Sequence, residues 1–375
     1  MRHLARRALR PAGWGRSRIR VTVVTGLVAA ACLVGGNTVA APWLTFQGNA
    51  GPGRGRNIVL ISGDEEYRSE EAMPMLGQLL AVRHGFNCTV LFAINRATGE
   101  IDPNTTDNIP GLHLLADADL MVVFTRFRDL PDDQMDAVDA YLESGRPVVG
   151  IRPSVVAFRN RPGSRHFRYS SDNRTGDFAG GFGQQVLGAT WISHHGAHGK
   201  ESTRGLIVEA ERDHPILRGV GALWGPTDVY TVREPIAGGA RVLVTGQVLR
   251  GMRPDDPASE KPPMPLAWTK EYSSPGGRAR VFTTTMGASQ DFADESFRRL
   301  LVNACYWAVG LEDRIPAQSD VRFVTPYRPT PFGFDRFTKG LRPETLAAAM
   351  IPRTAVPKPG EVASPSLESP TLNSP

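Results

Sequence analysis

The stretch NIVLISG, residues 57–63, is an unbroken run of mostly apolar residues that ends in glycine. Such a run is typical of a β-strand buried on both faces of a parallel sheet, because a half-buried strand would alternate apolar and polar residues. From Ser69 to Gly85 the apolar residues recur at helical spacing, which predicts a helix with Ser69 as its N-cap. The chain therefore begins its regular structure with a strand followed by a helix.

The same alternation continues along the chain. Further buried strands are predicted over residues 88–94, 118–125 and 147–151, with a helix over residues 130–145 between the last two. Strands that alternate with helices indicate an α/β fold with a doubly wound, mostly parallel sheet and helices on both faces. Shorter strand candidates follow, and the last regular element predicted is a core helix over residues 293–310.

The length of 375 residues, with 41% hydrophobic and 22% charged residues, suits one large α/β domain or two small ones. We predict one domain over residues 57–316. A linker rich in glycine and proline over residues 41–56 precedes it, and a Pro-rich extension and disordered tail over residues 317–375 follow it. Cys88 and Cys305 fall in apolar runs, which favours buried free thiols over a disulfide.

The N-terminal segment, residues 1–40, has the pattern of an export signal. Its seven arginines all precede an apolar stretch over residues 21–36, and it contains no acidic residue. Small residues near Ala40 offer a cleavage site. The apolar stretch is shorter than the ~20 residues that span a bilayer. We expect an exported protein of the periplasm or cell envelope, with a retained membrane anchor as the alternative.

The positive formal charge of +5 belongs to this N-terminal segment. Without residues 1–40 the chain has 36 basic and 38 acidic residues, a net charge of −2. The overall basicity therefore does not predict a nucleic-acid-binding surface.

Polar segments follow the predicted strands at the sheet edge where α/β proteins bind ligands. Carboxylates there suit acid–base chemistry or sugar hydroxyls, and arginines suit anionic groups. The alternative is that the acids cap the next helix and the arginines brace neighbouring loops. The candidates are Asp64, Glu65 and Tyr67 after the first strand, Arg126 and Arg128 after the third, and Arg152 after the fourth.

Three of the eight histidines lie in WISHHGAHGK, residues 191–200. An imidazole can act as a base near neutral pH or bind a metal such as zinc. The zinc-protease pattern H-E-x-x-H is missing here. Three interpretations stay open: His194 or His195 as an active-site base, His194 and His198 as ligands of a divalent metal, or a polar structural loop.

Several separated segments together resemble the trehalose-utilisation (ThuA-like) family over residues 57–316. The segments are GDEEYRSEE, RFRDLPDDQMDAVDAYLESGRPVVGIR, GGFGQQVLGATWISHHGAHG, HPILRGV, PTDVY and TTTMGASQDF. The resemblance implies a flavodoxin-like domain related to class I glutamine amidotransferases and a role in carbohydrate metabolism. Ser154 and its neighbours include no cysteine nucleophile, which argues against glutaminase chemistry. Val156 lies in a segment where relatives often carry a histidine, which puts family activity in doubt.

These observations predict an exported protein that hydrolyses or isomerises a glycoside or keto-sugar. The alternatives are a non-catalytic sugar-binding or scaffold domain and a metal-dependent hydrolase that uses the histidines. The sequence does not indicate an oligomeric state. The predicted catalytic residues are His194, His195, Asp64 and Glu65; the predicted carbohydrate-binding residues are Arg126, Arg128, Arg152, Tyr67 and Asp228; the predicted zinc ligands are His194 and His198.

Overall fold

The computed structural model describes residues 41–351. The predicted signal or anchor and the predicted tail beyond residue 351 lie outside the described residues. Within residues 41–351, no helix combines the length and the apolar character that crossing a membrane requires.

The described chain folds around one ten-stranded sheet. Its order is β1-β3-β2-β4-β5-β12-β11-β10-β7-β8, and β6 and β9 form a separate two-stranded pair. The strands are β1 (Trp43–Phe46), β2 (Asn57–Gly63), β3 (Asn87–Phe92), β4 (Leu120–Thr125), β5 (Val148–Ile151), β6 (Ser193–His194), β7 (Thr203–Ile207), β8 (Leu223–Gly225), β9 (Tyr230–Thr231), β10 (Arg241–Val248), β11 (Met264–Ser274) and β12 (Gly277–Thr284). The helices are α1 (Ser69–His84), α2 (Asp132–Glu143), α3 (Glu295–Ala308) and α4 (Pro343–Ala349).

The centre of the sheet is parallel, in the order β3-β2-β4-β5-β12. This arrangement confirms the predicted α/β, flavodoxin-like architecture. Both edges are antiparallel: β1 pairs with β3 on one side, and β11, β10, β7 and β8 extend the sheet on the other. The sheet is therefore mixed. β11 runs antiparallel to β12 because a tight turn joins the two strands and reverses the chain.

Helices cover both faces of the sheet. Leu60 of β2 packs in one core cluster with Leu76 of α1 and Leu301 of α3. Its neighbour Val59 points to the other face and belongs to a second cluster with Val138 of α2. Successive residues of a strand point to opposite faces, so an apolar run such as β2 is needed to fill both cores.

Two local predictions were wrong. Trp43–Phe46 forms the edge strand β1 within the segment predicted as a linker, where the surrounding glycines and prolines hide a short apolar stretch. Ser69 is not the N-cap of α1: Arg68 precedes the helix in a left-handed conformation, and the Ser69 hydroxyl bonds with Ser62 and accepts the Asp64 N–H. Cys88 and Cys305 are buried and free, as predicted.

Candidate active site

The loops that follow β2, β4 and β5 meet at a narrow cleft of about 80 Å³. The carboxyl ends of parallel strands lie at one edge of the sheet, so loops that are far apart in sequence come together there. A wider groove of about 720 Å³ between α1 and residues 324–351 contains none of the predicted site residues. The cleft is lined by Glu66, Tyr67, Arg126, Phe127, Arg152, Pro153, Val155, Val156, Trp191, His194 and Tyr230.

Asp228 is the buried centre of the polar network beside the cleft. Its Oδ2 atom lies 2.8 Å from Nδ1 of His194, and its Oδ1 atom lies 2.7 Å from Nδ1 of His198. Nη2 of Arg152 donates to the same Oδ1 at 3.3 Å. Burial opposes ionisation of Asp228, but the Arg152 charge and the hydrogen bonds from both histidines outweigh it and hold the pKa of this carboxyl well below its usual range. Asp228 is thus a carboxylate that orients two imidazoles.

His194 lines the cleft and is bound by Asp228 at one of its two ring nitrogens. Asp228 occupies Nδ1, so Nε2 is the nitrogen left for chemistry. The imidazole is partly exposed and is a wall of the cleft, next to Trp191, whose ring centre lies 5.7 Å away. A histidine fixed at one nitrogen by a carboxylate and open at the other can accept or donate a proton at a defined point.

His198 lies deeper and is held from two sides. Its Nδ1 contacts Asp228, and its Nε2 lies 3.1 Å from Oε1 of Glu66. The hydrogen bonds to Asp228 and Glu66 raise the pKa of His198 to about 9, so it is an imidazolium at neutral pH. Burial opposes ionisation of Glu66, but the hydrogen bond from His198 and the charge of Arg126 lower its pKa below the usual value. Both nitrogens of His198 are therefore used inside the network.

Arg152 connects the network to two tyrosines. Its guanidinium is buried, donates to the main-chain oxygen of Asp228 and, at 3.1 Å, to the hydroxyl of Tyr67. It lies over the rings of Tyr67 and Tyr230, 4.6 and 5.2 Å from their centres. Burial raises the pKa of both phenols, which stay neutral. Among the described residues, the Tyr230 hydroxyl has no hydrogen-bond partner.

Four of the predicted site residues meet at the cleft. Tyr67, Arg126, Arg152 and His194 line it, and Asp228 lies directly behind His194. The roles assigned to them stay predictions.

Other selected residues lie away from the cleft. Asp64 is fully buried and its carboxyl accepts the main-chain N–H of Tyr67. Burial and the nearby charge of Glu65 raise the pKa of Asp64 to about 8, so it is mainly protonated at neutral pH. His195 lies in the same loop as His194 but contacts the carbonyl oxygen of Pro262 with Nε2 at 2.8 Å.

Arg128 and Glu65 brace the loops instead of lining the cleft. Arg128 is fully buried and donates to the main-chain oxygens of Pro103 and Thr105, each at 2.9 Å. Glu65 accepts from Arg126 and Arg128, each at 2.7 Å. Arg128 does not line the cleft, because its side chain is enclosed by its own loop partners, and its predicted contact with substrate stays a prediction.

A sequence model of the ThuA family, described as trehalose utilisation, matches residues 58–308. The chain belongs to the ThuA family. This membership confirms the resemblance found in the sequence and supports a carbohydrate-related role. None of the curated proteins matches this chain.

Solved structures that match this chain include a ThuA-like protein from Parabacteroides merdae. It is 15% identical, with a TM-score of 0.45, over 74% of this chain and 97% of that one. An exo-beta-1,4-mannosidase from Opitutaceae bacterium strain TAV5 is 10% identical, with a TM-score of 0.30, over 67% of this chain and 35% of that one.

Two contributions to this ThuA-family site were not selected from the sequence. Glu66, the third of three consecutive acids, faces the cleft and binds His198. Residues of the Pro-rich extension also reach the site: the ring of Phe332 lies 5.1 Å from that of His198, and the N–H of Gly333 donates to the Glu66 carbonyl at 2.7 Å. Glu66 lies in an irregular turn, where side-chain direction follows no period that the sequence could reveal. The composition of the extension gives no sign that Phe332 and Gly333 contact residues far earlier in the chain.

The same cluster contains the atoms of a potential metal site. Among the described residues, His194, His198 and Asp228 offer ligand atoms that lie within 4.8 Å of one another. In the structure Asp228 is already hydrogen-bonded to both histidines, and Arg152 adds a positive charge 3.3 Å from Asp228. A cation would have to replace those contacts.

Proposed function

We propose that this ThuA-family protein is a carbohydrate-processing enzyme that hydrolyses or isomerises a glycoside or keto-sugar, with His194 as its general acid–base. The observation that carries the proposal is the placement of His194 between a buried carboxylate and the cleft. Efficient proton transfer needs a group that can take up and release a proton from a fixed position, and the carboxylate of Asp228 fixes the His194 imidazole at the wall of the cleft.

Asp228 determines which nitrogen of His194 reacts. A carboxylate accepts a hydrogen bond from Nδ1–H, which places the lone pair of the neutral ring on Nε2. Nε2 can then take a proton from a sugar hydroxyl or from a water in the cleft. The imidazolium that results is stabilised by the Asp228 charge 2.8 Å away and can return the proton to a leaving oxygen.

Arg126 and the neutral hydroxyls of Tyr67 and Tyr230 are the groups that can hold the substrate. Arg126 lines the cleft and is one-fifth exposed, so part of its guanidinium remains available to an oxygen on which negative charge develops. Tyr230 lines the cleft with a hydroxyl that has no partner among the described residues, so a sugar hydroxyl would satisfy it. Val156 gives the same cleft an apolar wall.

The location of this activity is also a proposal. Residues 1–40 carry the basic and apolar pattern of an export signal, so we propose that the protein works in the periplasm or cell envelope. Mass spectrometry of envelope protein should find a mature chain that starts near Ala41. A full-length Met1 form confined to the cytosol would contradict it.

The catalytic proposal is tested by turnover of trehalose and of a keto-derivative of trehalose, with products followed by NMR. His194→Ala should lower kcat/KM by about 10²–10⁴-fold, the usual contribution of a general acid–base. His195→Ala is the matched control, because it removes the same side chain from the same loop but outside the cleft. Equal activities of the two variants would reject His194 as the catalyst. Binding of trehalose without turnover by the wild type would favour the non-catalytic sugar-binding alternative.

A metal-dependent hydrolase is the second candidate, favoured by the grouping of His194, His198 and Asp228. Three protein ligands and a water are the usual set of a catalytic zinc. The His198 pKa of about 9 and the Arg152 charge favour protonation of His198 over binding of a metal ion by the cluster. We therefore expect that protein dialysed against zinc retains little metal and that chelators leave turnover unchanged. One zinc per chain, lost in His198→Ala, would support the metal candidate instead.

A further inference from the structure

Exposed aromatic side chains are concentrated at the cleft. Seven large hydrophobic residues are exposed among those described, and only two of them are aromatic: Trp191, 43% exposed, and Phe334, 55% exposed. A single exposed apolar residue needs no explanation, but exposed aromatics that border one cleft indicate a contact surface for a ligand.

Each of these aromatics touches a residue that lines the cleft. The ring centre of Trp191 lies 5.7 Å from that of His194. The ring centre of Phe334 lies 5.1 Å from the guanidinium carbon of Arg126, which in turn lies 4.9 Å from the ring of Phe127. Trp191 and Phe334 are therefore both at the rim of the cleft, one beside the proposed acid–base and the other beside a proposed substrate-holding arginine.

Phe334 is held in place by its neighbours in the extension. The N–H of Gly333 donates to the main-chain oxygen of Glu66, and the ring centre of Phe332 lies 5.7 Å from that of Tyr67. Earlier in the same segment, the main-chain N–H and the hydroxyl of Thr330 both donate to the Glu71 carboxylate, at 2.9 and 2.6 Å. The segment thus forms a fixed wall, and it lies beyond residue 308, where the match to the family ends.

The cleft is too small for a complete ligand of the proposed class. Its volume of about 80 Å³ is well below the roughly 300–1,000 Å³ of ordinary small-molecule sites. A sugar that places one reacting group near His194 must extend past the rim. One face of a pyranose ring consists mostly of C–H groups, and a flat aromatic ring with few rotatable bonds can cover such a face at low entropic cost.

We propose that Trp191 and Phe334 form an outer subsite that binds a second sugar ring, so that the ligand is a glycoside of at least two rings. This inference rests on the proposed carbohydrate function of the cleft. It predicts that Phe334, which stands outside the residues that line the cleft, distinguishes disaccharides from monosaccharides.

The test measures binding instead of turnover, so it stands apart from the catalytic proposal. Calorimetry with His194→Gln, which removes the proposed acid–base, compares glucose with the disaccharides trehalose, maltose and cellobiose. We expect at least one disaccharide to bind about 10-fold more tightly than glucose, the order expected for burying one aromatic contact. Adding Phe334→Ala should remove about 10-fold of that disaccharide's affinity and leave glucose unchanged.

Two further variants separate stacking from general effects. Phe334→Trp keeps a flat ring and should retain disaccharide affinity. Phe323→Ala is the matched control, because it truncates a phenylalanine of the same extension that packs on Arg298 and Tyr327, away from the cleft. The inference is overturned if no disaccharide binds more tightly than glucose, or if Phe334→Ala leaves disaccharide affinity intact or lowers glucose affinity equally. A bound disaccharide that the wild type does not convert would leave the subsite standing and reject the catalytic proposal.

Discussion

Oδ2 of Asp228 lies 2.8 Å from Nδ1 of His194, and the carboxylate is fully buried while the imidazole reaches the cleft. The two residues come from segments 34 positions apart, which the structure joins through the pairing of β6 with β9. His194 is in β6, and Asp228 lies two residues before Tyr230 of β9. The backbone pairing therefore fixes the distance on which the proposed proton transfer depends.

Arg128 and Arg126 should respond differently to truncation. Arg128→Ala leaves Glu65 and the carbonyls of Pro103 and Thr105 without their buried partner, so it should lower the free energy of unfolding by about 3–5 kcal/mol. Arg126→Ala changes a side chain that is partly exposed and should cost much less stability, while weakening sugar binding. Thermal melts and calorimetry of both variants measure the difference. Weaker sugar binding by a fully stable Arg128→Ala protein would contradict this assignment.

Asp64 should make stability fall as pH rises. Burial raises its pKa from 3.8 to about 8 in the folded state, so the folded chain favours the protonated form. That contribution is complete below about pH 3.8 and is lost as pH rises through 8. Asp64→Asn mimics the protonated form and keeps an acceptor for the Tyr67 N–H. The free energy of unfolding of the variant, minus that of the wild type, should therefore increase between pH 4 and pH 8. A difference that is flat across this range would show that Asp64 is ionised in the folded protein.

Gly183 should tolerate no side chain. It begins the π-helical turn Gly183–Leu187, and a Cβ there would lie 1.9 Å from the main-chain oxygen of Val155, a residue at the cleft. Gly183→Ala forces backbone to move, so we expect a loss of about 1–3 kcal/mol or more in the free energy of unfolding. Gly221→Ala is the control, since its Cβ would meet only the Ser296 hydroxyl, at 3.3 Å. Denaturant unfolding of both variants should show a loss in the first alone; similar stabilities would contradict the close approach.

Much of the fold could be predicted because its central strands are buried on both faces. The predicted bounds of β2 match the structure, and those of β3, β4 and β5 differ by one or two residues, since uninterrupted apolar runs mark such strands clearly. The edge strand β1 was missed because four residues between glycine- and proline-rich stretches give no periodic signal.

The candidate site could be predicted in position but not in detail. Parallel topology placed Arg126, Arg152 and Tyr67 at one edge of the sheet, where the structure has them. Sequence could not show that Glu66 faces the cleft while Asp64 is buried away from it, because side-chain direction in an irregular turn depends on tertiary contacts. Nor could it show that Phe334 comes back to Arg126 across more than 200 residues.

The most direct test of the account is the non-additivity of His194 and Asp228 in catalysis. The kcat/KM of the single variants His194→Ala and Asp228→Asn is compared with that of the double variant, after circular dichroism confirms that each is folded. If Asp228 acts by orienting His194, its loss has little further effect once the imidazole is gone, and the double variant should be about as slow as His194→Ala alone. Losses that multiply in the double variant would contradict the account, because the two residues would then contribute independently.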